Sequence, residues 1–91
     1  MAGLPEDVRA RLLRDYPGET NFEATRLVES LGLSPRVLRS VVHLAHGDFD
    51  ELTRMARRAE IDWRDVVFWA EYQDHEAEHP RKVRSMEDPL P

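Results

Sequence analysis

Residues 27–56 read LVESLGLSPRVLRSVVHLAHGDFDELTRMA, and this stretch contains one complete predicted helix with both of its boundaries. Gly32 suits a left-handed helix end, and Ser34 and Pro35 have the residue types of an N-cap and a first helical turn. Gly47, with an aspartate after it, marks the next boundary. Between the boundaries, apolar residues recur at helical spacing as Leu38, Val41, Val42 and Ala45. The stretch therefore predicts short helices joined by tight turns.

Two further helices are predicted before this stretch. Pro5 stands in the first turn of one helix, which ends at Pro17 and Gly18. Thr20 and Glu23 have the spacing of a capping box and predict the start of the second helix. The apolar stripes of the two helices are Leu4, Val8, Leu12 and Tyr16, and Ala24, Leu27, Val28 and Leu31.

Two helices are predicted after it. Asp48 and Glu51 indicate an N-cap for the fourth helix, whose stripe is Leu52, Met55, Ala56 and Ala59. Asp62 starts a fifth helix, where Ile61 and Val66 hold the two positions of a hydrophobic staple. The inner stripe of this most apolar helix is Trp63, Val66, Val67 and Ala70. The sequence thus predicts an all-α fold, a compact bundle of about five short helices.

Length and composition fit one domain. The chain has 91 residues, of which 41% are hydrophobic and 34% charged, the balance of a compact globule. We predict a single helical domain over residues 1–79 and an irregular C-terminal tail over residues 80–91, which contains three prolines and shows no periodicity. Three apolar residues could still pin this tail against the bundle: Val83, Met86 and Leu90.

Composition also disfavours several classes of function. No apolar run approaches the roughly 18 residues of a membrane span, and the N-terminal residues lack a signal-peptide pattern, so we expect a cytoplasmic protein without membrane contact. The chain has no cysteine, which excludes disulfides and thiolate zinc sites, and no cofactor is predicted. Its net charge of −5 disfavours nucleic acid as a partner, because an acidic protein does not attract phosphate.

Residues 75–79 read His-Glu-Ala-Glu-His, a literal HExxH motif. On a helix, two histidines four residues apart share a face and can hold zinc, with the glutamate as general base. Here the motif stands at a helix end directly before Pro80, in polar surroundings. We interpret the match as incidental, and His75 and His79 are weak candidates for a surface metal site. Because the sequence also shows no nucleophile with its base and no phosphate-binding glycine loop, we do not predict an enzyme.

Residues 28–41 resemble the helix-turn-helix of bacterial DNA-binding regulators. Gly32 matches the turn, Ser34 matches the cap of the recognition helix, and the apolar positions match those that hold the two helices together. The resemblance implies that the helix over residues 34–46 would read DNA through Arg36, Arg39, Ser40 and His43. The alternative is that any tight helix-to-helix turn uses the same capping residues, and the acidic net charge favours this alternative.

A basic cluster lies on the fourth predicted helix. Arg54, Arg57 and Arg58 fall within about one helical turn and form a candidate face for an acidic partner. Acidic residues nearby in the sequence can neutralise this face through pairs three or four positions apart.

Residues 47–72 resemble small uncharacterised bacterial proteins. The shared features are a Gly-Asp turn at Gly47-Asp48 and the signature Asp62-Trp63-Arg64-Asp65-Val66 followed by Ala70-Glu71-Tyr72. The resemblance covers the middle and C-terminal half of the chain and leaves out the first 33 residues. It implies no activity, cofactor or catalytic residue.

We therefore expect a non-catalytic module for protein interaction or regulation, whose partner is another protein or a second copy of the chain. Apolar surface surrounds much of the fifth helix, so this helix is either central in the bundle, which aromatic residues at helical spacing favour, or partly exposed for a partner. In the second case the candidate contact residues are Phe68, Trp69 and Tyr72, which lie beside the inner stripe and belong to residue types that anchor interfaces, together with Arg54, Arg57 and Arg58. DNA binding through the helix at residues 34–46 is the alternative, and a metal-binding HExxH protein is the remote one.

Overall fold

Four helical segments and a two-stranded hairpin make up residues 3–91, the part of the chain that this computed structural model describes. The elements are α1 (Glu6–Asp15), α2 (Glu19–Ser30), α3 (Pro35–Ala45), α4 (Phe49–Glu71), β1 (Tyr72–Gln73) and β2 (Arg81–Lys82). The all-α prediction is confirmed apart from the short hairpin. Within residues 3–91, every helix is too short or too polar to cross a membrane.

Most predicted helix boundaries are present. Ser34 holds the N-cap position of α3 in extended backbone, and Asp48 caps α4 because its carboxylate accepts a hydrogen bond from the amide nitrogen of Glu51 at 3.1 Å. At the end of α3 the left-handed backbone begins at His46 and continues at Gly47, with φ angles of 50° and 78°. The capping box predicted at Thr20 is wrong: the N-cap of α2 is Gly18, two residues earlier, and no side chain caps the helix.

The predicted fourth and fifth helices form one bent segment, α4. Asp62 has φ −154° and ψ 96°, outside the helical range, and its carboxylate accepts a hydrogen bond from the amide nitrogen of Arg64 at 3.1 Å. The sequence therefore indicates the correct residue for the break. The two predicted helices join directly at Asp62 without a connecting turn, so residues 3–91 contain four helical segments, the last of which consists of two helical halves.

The core lies mainly between α3 and α4. α1 contacts α2 and α3, and α2 also contacts α4, so α3 has neighbours on two sides. Its buried side chains are Val37, Leu38, Ser40, Val41, Val42 and Ala45. The predicted stripes of the other helices supply the rest of the core, including Val8, Leu12, Tyr16, Ala24, Val28, Leu52, Ala56, Ala59, Val66 and Val67.

Trp63 is an exception to the predicted stripes. It is 46% exposed and its neighbour Ile61 is 74% exposed, so neither side chain belongs to the core. Both residues flank Asp62, where the 3.6-residue helical period that predicted their orientation is interrupted. The inner stripe of this part of α4 consists of Val66, Val67 and Ala70 alone.

The C-terminal segment, residues 80–91, is irregular apart from the two-residue strand β2, but it packs against the bundle. Its strand β2 pairs antiparallel with β1, and the amide nitrogen of Val83 donates to the carbonyl oxygen of Glu71 at 2.8 Å. Met86 is buried, Leu90 packs against the core, and the Val83 side chain is exposed. The segment returns along the bundle because strand pairing and these two apolar side chains hold it there.

Candidate functional site

The last turns of α4 and the loop between β1 and β2 enclose an open cleft of about 810 Å³, within the range of ligand sites. Asp65, Phe68 and Trp69 line it from α4, and residues 74–77 line it from the loop. Two of the predicted contact residues, Phe68 and Trp69, therefore lie in one cavity. These seven residues form what is hereafter the aromatic cleft.

Phe68 connects the helix to the loop. Its ring centroid lies 5.2 Å from that of Tyr72 and 5.1 Å from that of His75, distances typical of favourable aromatic pairs. His75 Nε2 lies 2.5 Å from the carbonyl oxygen of Tyr72, and since a carbonyl only accepts, this nitrogen carries the proton. The loop turns back at Asp74, which has a left-handed φ of 54° and whose carbonyl oxygen accepts a hydrogen bond from Ala77 at 2.9 Å.

The cleft carries negative charge that the described residues do not neutralise. Asp65 accepts a hydrogen bond from Arg58 Nε at 2.9 Å, and the same guanidinium lies 6.0 Å from the Trp69 ring centroid. Asp74 and Glu76 have no arginine or lysine partner among residues 3–91. Unpaired carboxylates beside aromatic faces form an environment that attracts a cation.

The aromatic residues singled out from the sequence are half-buried. Phe68, Trp69 and Tyr72 each keep part of their surface in contact with solvent, and Trp69 also packs against the core. They therefore combine a fixed position with an accessible face.

The predicted basic cluster is divided between two acidic partners. Arg54 pairs with Glu51 on the exposed side of α4, whereas Arg58 pairs with Asp65 at the cleft. Arg57 is exposed and has no acidic partner within residues 3–91. Only Arg58 of the three belongs to the surroundings of the aromatic cleft.

Arg36, one of the four DNA-binding candidates, binds a buried carboxylate, and its side chain stays 36% exposed. Its Nε and Nη2 donate to the two carboxylate oxygens of Glu71 at 2.9 and 2.7 Å, and Glu71 has no exposed surface. The amide nitrogen of Met86 donates to the same carboxylate at 2.8 Å. Burial acts to raise the pKa of Glu71, but the hydrogen bonds from Arg36 and Met86 outweigh it and hold the pKa below its ordinary value.

Arg39 forms a second pair of this kind with Asp7 of α1. Its Nε and Nη2 donate to the Asp7 carboxylate at 2.7 and 3.1 Å, and its Nη1 donates to the carbonyl oxygen of Glu87 at 3.0 Å. The Asp7 carboxylate also accepts a hydrogen bond from the amide nitrogen of Leu90 at 3.0 Å. Arginine pairs from α3 thus hold the C-terminal segment at two points.

Ser40 and His43, the other two DNA-binding candidates, are buried and half-buried. Ser40 is fully buried and its hydroxyl donates to the carbonyl oxygen of Arg36 at 2.8 Å. Burial lowers the pKa of half-buried His43 to about 4, and the charges of Arg84, His46 and Arg11 act in the same direction. Arg36 and Arg39 each use two guanidinium nitrogens on a carboxylate of the same chain, and Arg39 is largely buried. The geometry therefore gives DNA binding no support, and it stays a prediction.

The HExxH motif does not lie on a helix. Residues 75–79 form the exposed loop between β1 and β2, so the helical spacing that would bring His75 and His79 to one face is absent. Within residues 3–91, no three histidine, aspartate or glutamate side chains are grouped closely enough to hold a metal ion. His75 instead contributes to the aromatic cleft.

Sequence reasoning did not identify the acidic half of the cleft. Asp65 is recognisable from the sequence as a partner for a nearby arginine, but Asp74 and Glu76 lie beyond the predicted helix in a stretch without periodicity. Their position depends on the pairing of Tyr72 and Gln73 with residues 81–82, and two-residue strands leave no sequence pattern.

Comparison of the chain with protein families, with curated proteins and with solved structures gives no match. The function proposed below therefore depends on the geometry and charge of the aromatic cleft.

Proposed function

We propose that this protein is a non-catalytic interaction module whose aromatic cleft binds an arginine or lysine side chain of a partner protein. The observation that supports this function is that Asp74 and Glu76, which have no cationic partner among residues 3–91, line the same open cleft as Phe68, Trp69 and His75. Carboxylates attract the charge, and the rings provide faces that a cation favours.

An arginine of the chain itself, Arg58, already pairs with both an aromatic ring and a carboxylate of the cleft. Arg58 lies over the ring of Trp69 while Asp65 binds its guanidinium. A partner arginine placed against Phe68 with Asp74 or Glu76 beside it would repeat the same arrangement in the same cleft. Arginine suits the site better than lysine because its planar group stacks on rings and binds carboxylates through two donors.

The free energies of a cation–ring contact and of an ion pair show that the partner must provide further contacts. A cation over an exposed ring contributes about 0.5 to 1 kcal/mol, and an exposed ion pair contributes about 0.2 to 1 kcal/mol. Together these contributions reach at most about 2 kcal/mol. This is less than the roughly 4 kcal/mol that corresponds to a Kd of about 1 mM, so one guanidinium alone binds too weakly. We therefore expect the natural partner to present its cation next to an apolar side chain that fills the rest of the cleft.

The groups that line the cleft favour binding over catalysis. His75 donates its Nε2 proton to a backbone carbonyl, and Asp65 is held by Arg58. Neither group stands beside a serine, threonine, cysteine or lysine of the lining that it could activate as a nucleophile.

The test is capture of partners from a lysate of the source organism with three tagged proteins. The first is the unmodified chain, the second carries Asp74→Lys and Glu76→Lys, and the control carries Glu23→Lys and Glu60→Lys. Both pairs of substitutions change the net charge equally, and Glu23 and Glu60 are exposed residues outside the cleft. Partners are cross-linked, washed and identified by mass spectrometry.

We expect the unmodified chain and the control to recover the same partner, with an exposed basic segment, and the cleft variant to lose it. In a parallel capture without cross-linking, raising the salt concentration should release the partner, because screening at about 1 M salt shortens the Debye length to roughly 3 Å. Recovery of the same proteins by all three baits would contradict the proposed function.

A further inference from the structure

The exposed side of α2 carries a cation placed over an aromatic ring. The Arg26 guanidinium lies 5.6 Å from the ring centroid of Phe22, which is 66% exposed. No carboxylate pairs with Arg26 among residues 3–91. Leu13 of α1, 59% exposed, lines the same groove and extends the apolar surface. Phe22 and Arg26 are hereafter the α2 knob.

We propose that the α2 knob of one copy docks in the aromatic cleft of a second copy. The proposal rests on the proposed function, since it requires that the cleft take a cationic side chain, and it identifies the partner as the chain itself. In this contact the Arg26 guanidinium meets Asp74 and Glu76, while the Phe22 ring covers Phe68 and His75.

The two surfaces are complementary in charge and alike in their aromatic content. The knob offers an unpaired cation with an adjoining ring, and the cleft offers unpaired carboxylates with adjoining rings. Phe22 provides the apolar contact that an isolated guanidinium lacks. Both surfaces are open in the single chain, and they have no lining residue in common, so one copy presents both.

The contact joins two different surfaces of the chain. The number of copies in the assembly therefore depends on whether the contacts close into a symmetric oligomer. If each of two copies places its knob in the cleft of the other, a twofold dimer forms; if only one knob is used per pair, the copies form an open chain. In both cases the second copy contributes Arg26 to the site, and the loss of either surface removes association.

The test is sedimentation velocity of the full chain over a concentration series from about 10 μM to about 1 mM, the range of weak associations. The variants are Arg26→Glu, Phe22→Ala and the double substitution Asp74→Lys with Glu76→Lys. Arg57→Glu is the control, because Arg57 is equally exposed and unpaired but lies outside both surfaces. Circular dichroism verifies that each variant keeps its helix content.

The unmodified chain and Arg57→Glu should associate as concentration rises, whereas the three surface variants should associate at least tenfold more weakly. An equimolar mixture of Arg26→Glu with the cleft variant should associate again, because one retains an intact cleft and the other an intact knob. A chain that stays monomeric throughout the series overturns the proposal, and so does association that Arg26→Glu leaves unchanged. Binding of a basic peptide by the Arg26→Glu variant tests the cleft separately.

Discussion

Arg36 of α3 holds the buried carboxylate of Glu71 at the end of α4 through two hydrogen bonds of 2.9 and 2.7 Å. Because the amide of Met86 binds the same carboxylate, this pair connects the helical core to the C-terminal segment. The carboxylate has no exposed surface, and among residues 3–91 its charge is compensated by these partners and by Lys82, whose Nζ lies 3.6 Å away. The pair therefore has consequences for stability that a surface ion pair would not have.

Replacing Arg36 with methionine should lower the free energy of unfolding by about 3 kcal/mol, since it leaves a buried carboxylate without its main partner. Urea denaturation followed by circular dichroism measures the change. Arg57→Met is the matched control and should change stability by less than about 0.5 kcal/mol, because Arg57 is an exposed residue without an acidic partner. Equal effects of the two substitutions would show that the pair does not hold the C-terminal segment.

Met86 should contribute to the stability of the whole chain although it lies near the C-terminus. It is only 3% exposed, so Met86→Ala should cost about 2 to 3 kcal/mol, within the range for buried methionine. Val83→Ala, at an exposed position of the same segment, should cost less than about 1 kcal/mol. Urea denaturation measures both changes. If Met86→Ala costs as little as Val83→Ala, the C-terminal segment is not packed against the core.

Acid should destabilise the protein in two stages. The pKa of His43 is lowered from 6.5 to about 4 by burial, so the folded state binds fewer protons than the unfolded state, and stability falls as pH drops from 6.5 towards 4. The pKa values of Asp7 and Glu71 are also lowered, which removes further stability as pH falls below about 4. His43→Asn should abolish the first stage and leave the second. Urea denaturation of both proteins over a pH series tests this order. If the His43→Asn variant still loses stability between pH 6.5 and 4, a group other than His43 causes the first stage.

Trp63 should tolerate truncation better than a core residue. Because it is 46% exposed, Trp63→Ala should cost about 1 kcal/mol, whereas Leu52→Ala, at a fully buried position, should cost about 2 to 5 kcal/mol. Thermal or urea denaturation of both variants provides the comparison. A cost for Trp63→Ala as large as that for Leu52→Ala would place Trp63 in the core, as the sequence pattern predicts.

Helical periodicity and capping predict most of the fold, because both are local properties of the chain. The stripe Leu38, Val41, Val42 and Ala45 is buried as predicted, and Asp48 caps α4. Asp62 shows the limit of this reasoning. A capping aspartate indicates a break, but the sequence does not indicate whether a turn or a bend follows, and the orientation of Trp63 depends on that difference.

The site was less predictable because it depends on contacts between distant parts of the chain. Phe68 and Trp69 follow from the apolar surface of α4, but Asp74 reaches them only through the hairpin with residues 81–82. Arg36 and Arg39 match the pattern of exposed recognition residues. Their actual partners, Glu71 and Asp7, lie more than thirty positions away and cannot be identified from spacing.

The central claim is that the aromatic cleft binds a cationic side chain, and a nuclear magnetic resonance titration tests it most directly. The protein carries ¹⁵N and the substitution Arg26→Glu, which removes the proposed self-association. The probes are two acetylated, amidated peptides that differ only in a Phe-Arg or a Phe-Glu pair. We predict saturable shifts of Phe68, Trp69 and His75 with the arginine peptide alone, and their loss when Asp74→Lys and Glu76→Lys are added. Absence of saturable shifts at these residues, or equal shifts with both peptides, would contradict the account.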